Sequence, residues 1–330
     1  MSSLLQQDVW SSRLEVVDLS ELAPQDVEPL FEEEKELWLE KLHWDISPGV
    51  STMRRALEQR TLPGKAVRDQ GVVIGYGYYL VEGERVLVGG LTVARSRPGT
   101  LVGPILVRAL LAAAQSERGV RRIESQFISL DASWLRAPFL SFGFSEHGRF
   151  FFRRTLGARS IEAVPERVDL AGAYQVESFR TERIPAAAVV LHRAHVGGVD
   201  GTLNELYRTE EGCILLLQNL ALQRGCGPIS ASASFLARDG VSGRYTALLL
   251  VTEISPAHAH LAQVAVGPEA RRRGLARLLL EKSLGALARQ GYRTVSLMVS
   301  EENTEALRLY ASCGFQSIVR FPVFSWDRAF

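Results

Sequence analysis

The sequence predicts an α+β chain made of two tandem domains. Each is read as a mixed, mostly antiparallel sheet flanked by helices. Three observations carry that reading. The chain has 330 residues, enough for two domains of ordinary size. Strand-like alternating runs are grouped into meanders, and helical apolar spacing lies on either side of them. The order of elements in the first half returns in the second.

The first half begins with a strand over Leu14 to Leu19. Pro24 to His43 has helical spacing around an acidic centre, Glu32-Glu33-Glu34, which reads as a solvated helix face. Val50 to Gln59 is a second helix. Lys65 to Asp69, Val72 to Val81 and Arg85 to Val93 form a meander, turned at Gln70-Gly71 and at Glu82-Gly83-Glu84. Arg95 to Gly103 reads as a turn and Ile105 to Glu117 as an amphipathic helix. Arg122 to Ile128 is a strand, a helix starts near Ala132, and Phe150 to Arg153 is the last strand of this half.

Gly157 to Gly172 has the character of a linker, so the domains are placed at 1–157 and 174–330 with a linker at 158–173. Tyr174 to Arg180 restarts the pattern as a strand. Pro185 to His195 and Thr209 to Arg224 are helices. Ser230 to Ala237, Tyr245 to Glu253 and His258 to Val266 are a second meander. The run Val264-Ala265-Val266 stops at Gly267-Pro268, as a strand ending in a turn does. After Gly274, apolar residues at Ala276, Leu279, Leu280, Leu284 and Leu287 keep helical spacing up to the stop at Gly291. Arg293 to Val299 alternates as a strand. Asn303 is a good N-cap for a helix that ends at Gly314.

The segment Arg271-Arg272-Arg273-Gly274-Leu275-Ala276 is therefore a basic glycine turn between a strand and a helix. Such a turn offers unpaired backbone N–H groups and the positive end of a helix dipole, which suits a phosphate. Arginine forks add charge-assisted hydrogen bonds.

The pattern Arg271-x-x-Gly274-x-Ala276, followed by helix, strand and Asn303-x-x-Ala306-x-x-Leu309-Tyr310-x-x-x-Gly314-Phe315, resembles the GNAT superfamily of acyl-CoA N-acyltransferases. It covers roughly the last quarter of the chain. The resemblance implies two GNAT-like domains, with acetyl-CoA wedged between a splayed pair of parallel strands. It implies cofactor contacts from Val264, Ala265, Val266, Arg271, Arg272, Arg273, Gly274, Leu275, Ala276, Asn303 and Ala306. It implies Tyr310 as the acid that protonates the departing thiolate. Tyr310 lies seven residues after Asn303, so the two share one helix face.

The amine must be neutral to attack, so a base is sought. His260 lies four residues before Val264 on one strand, hence on one face by period two, and can act at neutral pH. Glu253, ending the preceding strand, is a second candidate. His192 and His195 read as structural helix histidines.

Superposing Gly143-Phe144 on Gly314-Phe315 places Phe139 over Tyr310, and Gly99, Val102 and Pro104 fall over Arg271, Gly274 and Ala276. The first half thus keeps the order of elements and loses the arginines, an N–H and the hydroxyl. It reads as a degenerate copy.

The function implied is transfer of an acetyl group from acetyl-CoA to a small-molecule or protein primary amine, directly in a ternary complex. Two alternatives are a non-catalytic acyl-CoA-binding regulatory module and a tRNA-dependent aminoacyltransferase. The formal net charge of +1 gives no electrostatic reason for bulk nucleic-acid binding. Cys213, Cys226 and Cys313 lack metal-ligand spacing and suit a reducing, cytoplasmic setting; no metal is expected. The N-terminus has no signal-peptide pattern, and no uninterrupted apolar run reaches the ~20 residues of a membrane helix. These motifs set neither the acceptor, the acyl chain length nor the oligomeric state.

Overall fold

A computed structural model of the chain describes residues 13–97, 99–128, 134–157, 172–222 and 226–328. It divides into two compact units. Unit 1 is Met1–His147 with Phe321–Phe330, and unit 2 is Gly148–Arg320.

In unit 1, strands β1 (Leu14–Asp18), β2 (Gly64–Asp69), β3 (Val72–Glu82) and β4 (Arg85–Val93) pair antiparallel in sequence order. Then β5 (Arg122–Gln126) pairs parallel to β4, from Arg85↔Arg122 to Val88↔Ser125. The end of the chain returns here, with Val323–Asp327 antiparallel to β5. The helix Gly99–Ser116 buries Val102, Leu106, Val107, Leu110 and Leu111 against this sheet. By length and composition alone it could cross a bilayer, but its apolar side forms a core with Phe139, Phe144 and Phe324. This helix begins earlier than the sequence reading, which ran a turn to Gly103 and started the helix at Ile105. Six residues into a helix, proline removes a single i→i−4 bond near the frayed end.

In unit 2, strand order runs β6-β11-β10-β9-β8-β7. The strands are β6 (Ser145–Thr155, its part from Gly148), β7 (Tyr174–Ser178), β8 (Phe235–Asp239), β9 (Tyr245–Ser255), β10 (His258–Val266) and β11 (Thr294–Ser300). All neighbours are antiparallel except β10 and β11. Helices Ile184–His195 and Glu210–Ala221 cover one face around Leu191, Leu217 and Leu248. Helices Leu275–Arg289 and Thr304–Ser312 cover the other around Leu249, Leu279, Leu284 and Leu297.

The units divide the chain elsewhere than at residue 157. Arg149–Thr155 hydrogen-bonds along the full length of β11, so the last strand of the first half completes unit 2. The last strand of the second half, from Phe321, completes unit 1. A linear reading assigns each strand to the domain whose sequence precedes it, and here both end strands are exchanged. Residues 158–171 of the expected linker, and Ala132 at the expected helix start, lie outside the described residues.

Candidate active site

The parallel pair β10/β11 is bonded only from His258↔Thr294 to Leu261↔Leu297. Beyond that point no pairing joins them among the described residues. Ala262–Val266 therefore keeps one free edge while its other edge stays on β9. A bulge starts the divergence. Leu261 pairs with Val251 and Gln263 with Leu250, so Ala262 is the extra residue. The bulge flips the alternation: Leu261 and Val264, three apart, pack into the same core. That is the face of helices Leu275–Arg289 and Thr304–Ser312, while Ala265 packs on the opposite side.

At the end of β10, Gly267 N–H bonds Thr246 O at 2.8 Å and the chain turns through Pro268–Ala270. Arg272 (φ 59°) and Gly274 (φ 82°) are both left-handed. Gly274 is the N-cap of helix Leu275–Arg289 and has no side chain to cap it. The first-turn N–H groups of a helix have no acceptor within it, and here nothing from the cap residue replaces one. A cavity of about 590 Å³ opens there. Its wall includes Val264–Val266, Arg271, Arg272, Gly274–Arg277, Asn303, Ala306 and Tyr310.

Of the sequence-expected cofactor residues, only Arg273 is off this wall; its Nη1 donates to the Tyr174 hydroxyl at 3.4 Å. Arg271 is partly committed to structure. Its Nη2 donates to Ala194 O at 2.8 Å and its Nε to Val266 O at 3.3 Å. Asn303 Oδ1 accepts from Ala306 N–H at 3.2 Å, as an N-cap does. Tyr310 is buried, with its ring edge-on to Phe315. Burial pushes its hydroxyl well above the ordinary phenol range. The charge of Asp200 adds to that and Arg149 opposes it. The hydroxyl thus keeps its proton at neutral pH and can donate it.

Neither base candidate from the sequence reaches the cavity wall. His260 lies in the closed part of the parallel pair, stacked on Phe151 at 6.4 Å with Nδ1 on Ser296 Oγ at 2.9 Å. The bulge at Ala262 puts it on the opposite face from Val264, so the period-two argument fails there. Burial, and then the charges of His258 and Arg149, push its pKa down to about 3. Glu253 sits opposite Ala259, at the start of β10. The strands are antiparallel, so the end of β9 lies five residues, about 17 Å, from Val264. At that far end of the strand, Glu253 N–H bonds Pro228 O at 2.9 Å.

Residues 205–315 match the family model described as Acetyltransferase (GNAT) family. The chain carries a GNAT domain. A stretch of 69 residues is 39% identical to the [ribosomal protein bS18]-alanine N-acetyltransferase of Salmonella typhimurium, and 38% identical to that of Escherichia coli. It covers 21% of this chain and 47% of each relative, so the match spans about half the length of these curated proteins. The fold is shared over nearly the whole chain. A GCN5-related N-acetyltransferase from Sphaerobacter thermophilus aligns over 96% of both chains, with TM-score 0.65 and 19% identity. A tandem GNAT protein from the clavulanic acid biosynthesis pathway aligns over 95% of this chain and 98% of its own, with TM-score 0.60 and 19% identity.

Unit 2 also presents to the cavity two side chains that the sequence reading passed over. His195, read as structural, and Asp200, not singled out, both line it. His195 ends helix Ile184–His195, and Gly197 (φ 73°) breaks the chain there. The short helix Val199–Leu203 then folds back, bringing Asp200 Oδ2 to 3.6 Å from His195 Nδ1. A five-residue spacing across two glycines has no helical or strand period, so periodicity could not pair them. The only available signal was His-x-Gly-Gly-x-Asp itself.

At the corresponding helix start of unit 1, the described residues leave no such space beside Gly99 and Gly103. The Trp134 ring occupies it: a Cβ on Gly103 would fall 2.1 Å from the ring, and one on Gly99 2.9 Å from its Nε1.

Proposed function

We propose that the chain is an N-acetyltransferase that moves an acetyl group from acetyl-CoA to a primary amine of a small molecule or protein, directly in a ternary complex. The observation that carries this is one cavity that joins the left-handed Gly274 turn to Tyr310 beside the free edge of β10. The donor set suits acetyl-CoA. The first-turn N–H groups from Leu275 onward, with Arg271 and Arg272, are suited to a diphosphate. The free edge of Ala262–Val266 offers backbone groups for a pantetheine chain.

When bound, acetyl-CoA supplies an activated thioester. The rest falls to the protein. The N–H groups of the diverging β10 edge are suited to polarise the acyl oxygen. Tyr310, kept protonated by burial, gives its proton to the departing sulfur. Among the described residues no group of three metal-ligating side chains occurs, and the proposed steps call on none.

The test is thiol release by purified protein with acetyl-CoA and a panel of amines, run beside Tyr310→Phe. The panel includes a peptide with N-terminal alanine, because the curated relatives are named for alanine N-acetylation. The expected variant keeps acetyl-CoA affinity and loses turnover by about 10- to 10⁴-fold. Binding without turnover in the wild type would favour a regulatory acyl-CoA-binding module instead. Equal turnover in both proteins would remove Tyr310 from the mechanism.

A further inference from the structure

The wall of the cavity beyond Tyr310 holds a histidine–carboxylate pair. His195 Nδ1 faces Asp200 Oδ2 at 3.6 Å. The imidazole stacks on the Tyr207 ring at 4.4 Å and 29°. Tyr207 is itself held by its hydroxyl on Gln263 Oε1 at 3.1 Å, and its carbonyl lies 3.1 Å from His192 Nδ1. The other oxygen of Asp200 accepts from Ser300 Oγ at 2.6 Å, at the end of β11 where the parallel strands have parted. Three elements thus fix one ring and one carboxylate.

Burial pushes the Asp200 carboxyl up. The close approach of His195, the charge of Arg149 and the hydrogen bond from Ser300 outweigh it and hold Asp200 at about 2. It is a carboxylate at every working pH. A carboxylate beside Nδ1 selects the Nδ1–H tautomer, leaving Nε2 as a lone pair. Nε2 is buried and has no hydrogen-bond partner among the described residues. His195 lines the cavity, and a buried imidazole nitrogen left without a partner in such a residue needs an explanation.

We infer that His195 Nε2 takes the proton from the acceptor's ammonium group, with Asp200 as the positioning residue that holds the ring. This rests on the acetyltransferase reading above. The acceptor enters as R–NH₃⁺, and His195 takes one proton and passes it to water. The neutral nitrogen forms the C–N bond as the C–S bond breaks, and the sulfur leaves with its electron pair. Tyr310 protonates the sulfur, and the second proton shed by the nitrogen restores Tyr310. Asp200 balances the charge His195 gains. Other ionisable groups bear on the pair: Arg149 from β6, Tyr207 from the following turn, Tyr310 and Glu302 beside the last helix, and Arg271, bonded to the carbonyl of Ala194. The geometry also names the acceptor's charge: a cation approaching a fixed carboxylate.

The experiment combines turnover with a reading of the ring itself. His195→Ala is expected to lose turnover about 10²- to 10⁴-fold with acetyl-CoA affinity unchanged, and to regain part of it on addition of imidazole. Tyr310→Phe should gain nothing from imidazole. In ¹⁵N spectra of the full chain, wild-type His195 should show the Nδ1–H tautomer, and Asp200→Asn should shift it toward Nε2–H. His195→Ala turnover within twofold of wild type, or a loss that imidazole does not touch, would overturn the proposal alone. A wild-type protein that binds acetyl-CoA but releases no thiol with any amine would overturn the acetyltransferase reading and this role with it. The ¹⁵N spectra would still report whether the pair exists.

Discussion

Gly274→Ala separates the two things Gly274 is expected to do. Its backbone sits at φ 82°, ψ 4°, a left-handed conformation that an L side chain adopts at a cost of about 1–2 kcal/mol. In a domain the size of Gly148–Arg320, each kcal/mol moves Tm by about 2–4 °C, so the loss should be about 2–8 °C. A turn that relaxes out of that conformation also misaligns the N–H groups at the helix start. Losing one charge-assisted hydrogen bond to a diphosphate costs about 1.5–3 kcal/mol, or roughly 10- to 150-fold in affinity. Gly291→Ala is the control. It ends the same helix at φ 87° with nothing within 4 Å of an added Cβ, far from the cavity wall. It should lose similar stability and keep acetyl-CoA affinity. The assays are thermal unfolding and calorimetric titration with acetyl-CoA. If both variants bind as tightly as the wild type, the phosphate turn has been misplaced.

Other outcomes follow from the same contacts. Titration of the full chain should give one acetyl-CoA per molecule, because Trp134 fills the equivalent opening in unit 1; a stoichiometry of two would refute this. Asn303→Ala removes the cap on Ala306 N–H and should cost about 0.5–2 kcal/mol, read as a lower Tm. His260 makes a pH prediction. Its folded pKa, about 3, lies below the unfolded value of about 6.5, so below pH ~6.5 the unfolded state binds a proton that the folded state refuses. Stability should therefore fall as pH drops from about 6.5 toward 3, by up to ~1.4 kcal/mol per unit from this group. His260→Phe should flatten that slope and leave the pH dependence of turnover unchanged; an altered activity profile would return His260 to the chemistry.

Much of this was legible before the structure. The Gly274 turn, the helix after it and the Asn303 cap are local signals, and each stands where spacing placed it. The failures share one cause, which is that they depend on pairing rather than on local pattern. The bulge at Ala262 inverts the faces of β10, and nothing in the apolar run His258–Val266 announces it. The distance of Glu253 from the cavity follows from antiparallel register. The exchanged strands Gly148–Thr155 and Phe321–Asp327 read as ordinary strands of the halves they follow. The His195–Asp200 pair depends on a glycine break that folds five residues back on themselves.

The most direct measurement is a crystal structure of the protein with coenzyme A. The diphosphate should lie against the N–H groups of residues 274–276, with the pantetheine chain running along Ala262–Val266 toward Tyr310. Coenzyme A seated in any other place, or no uptake at all, would contradict the assignment.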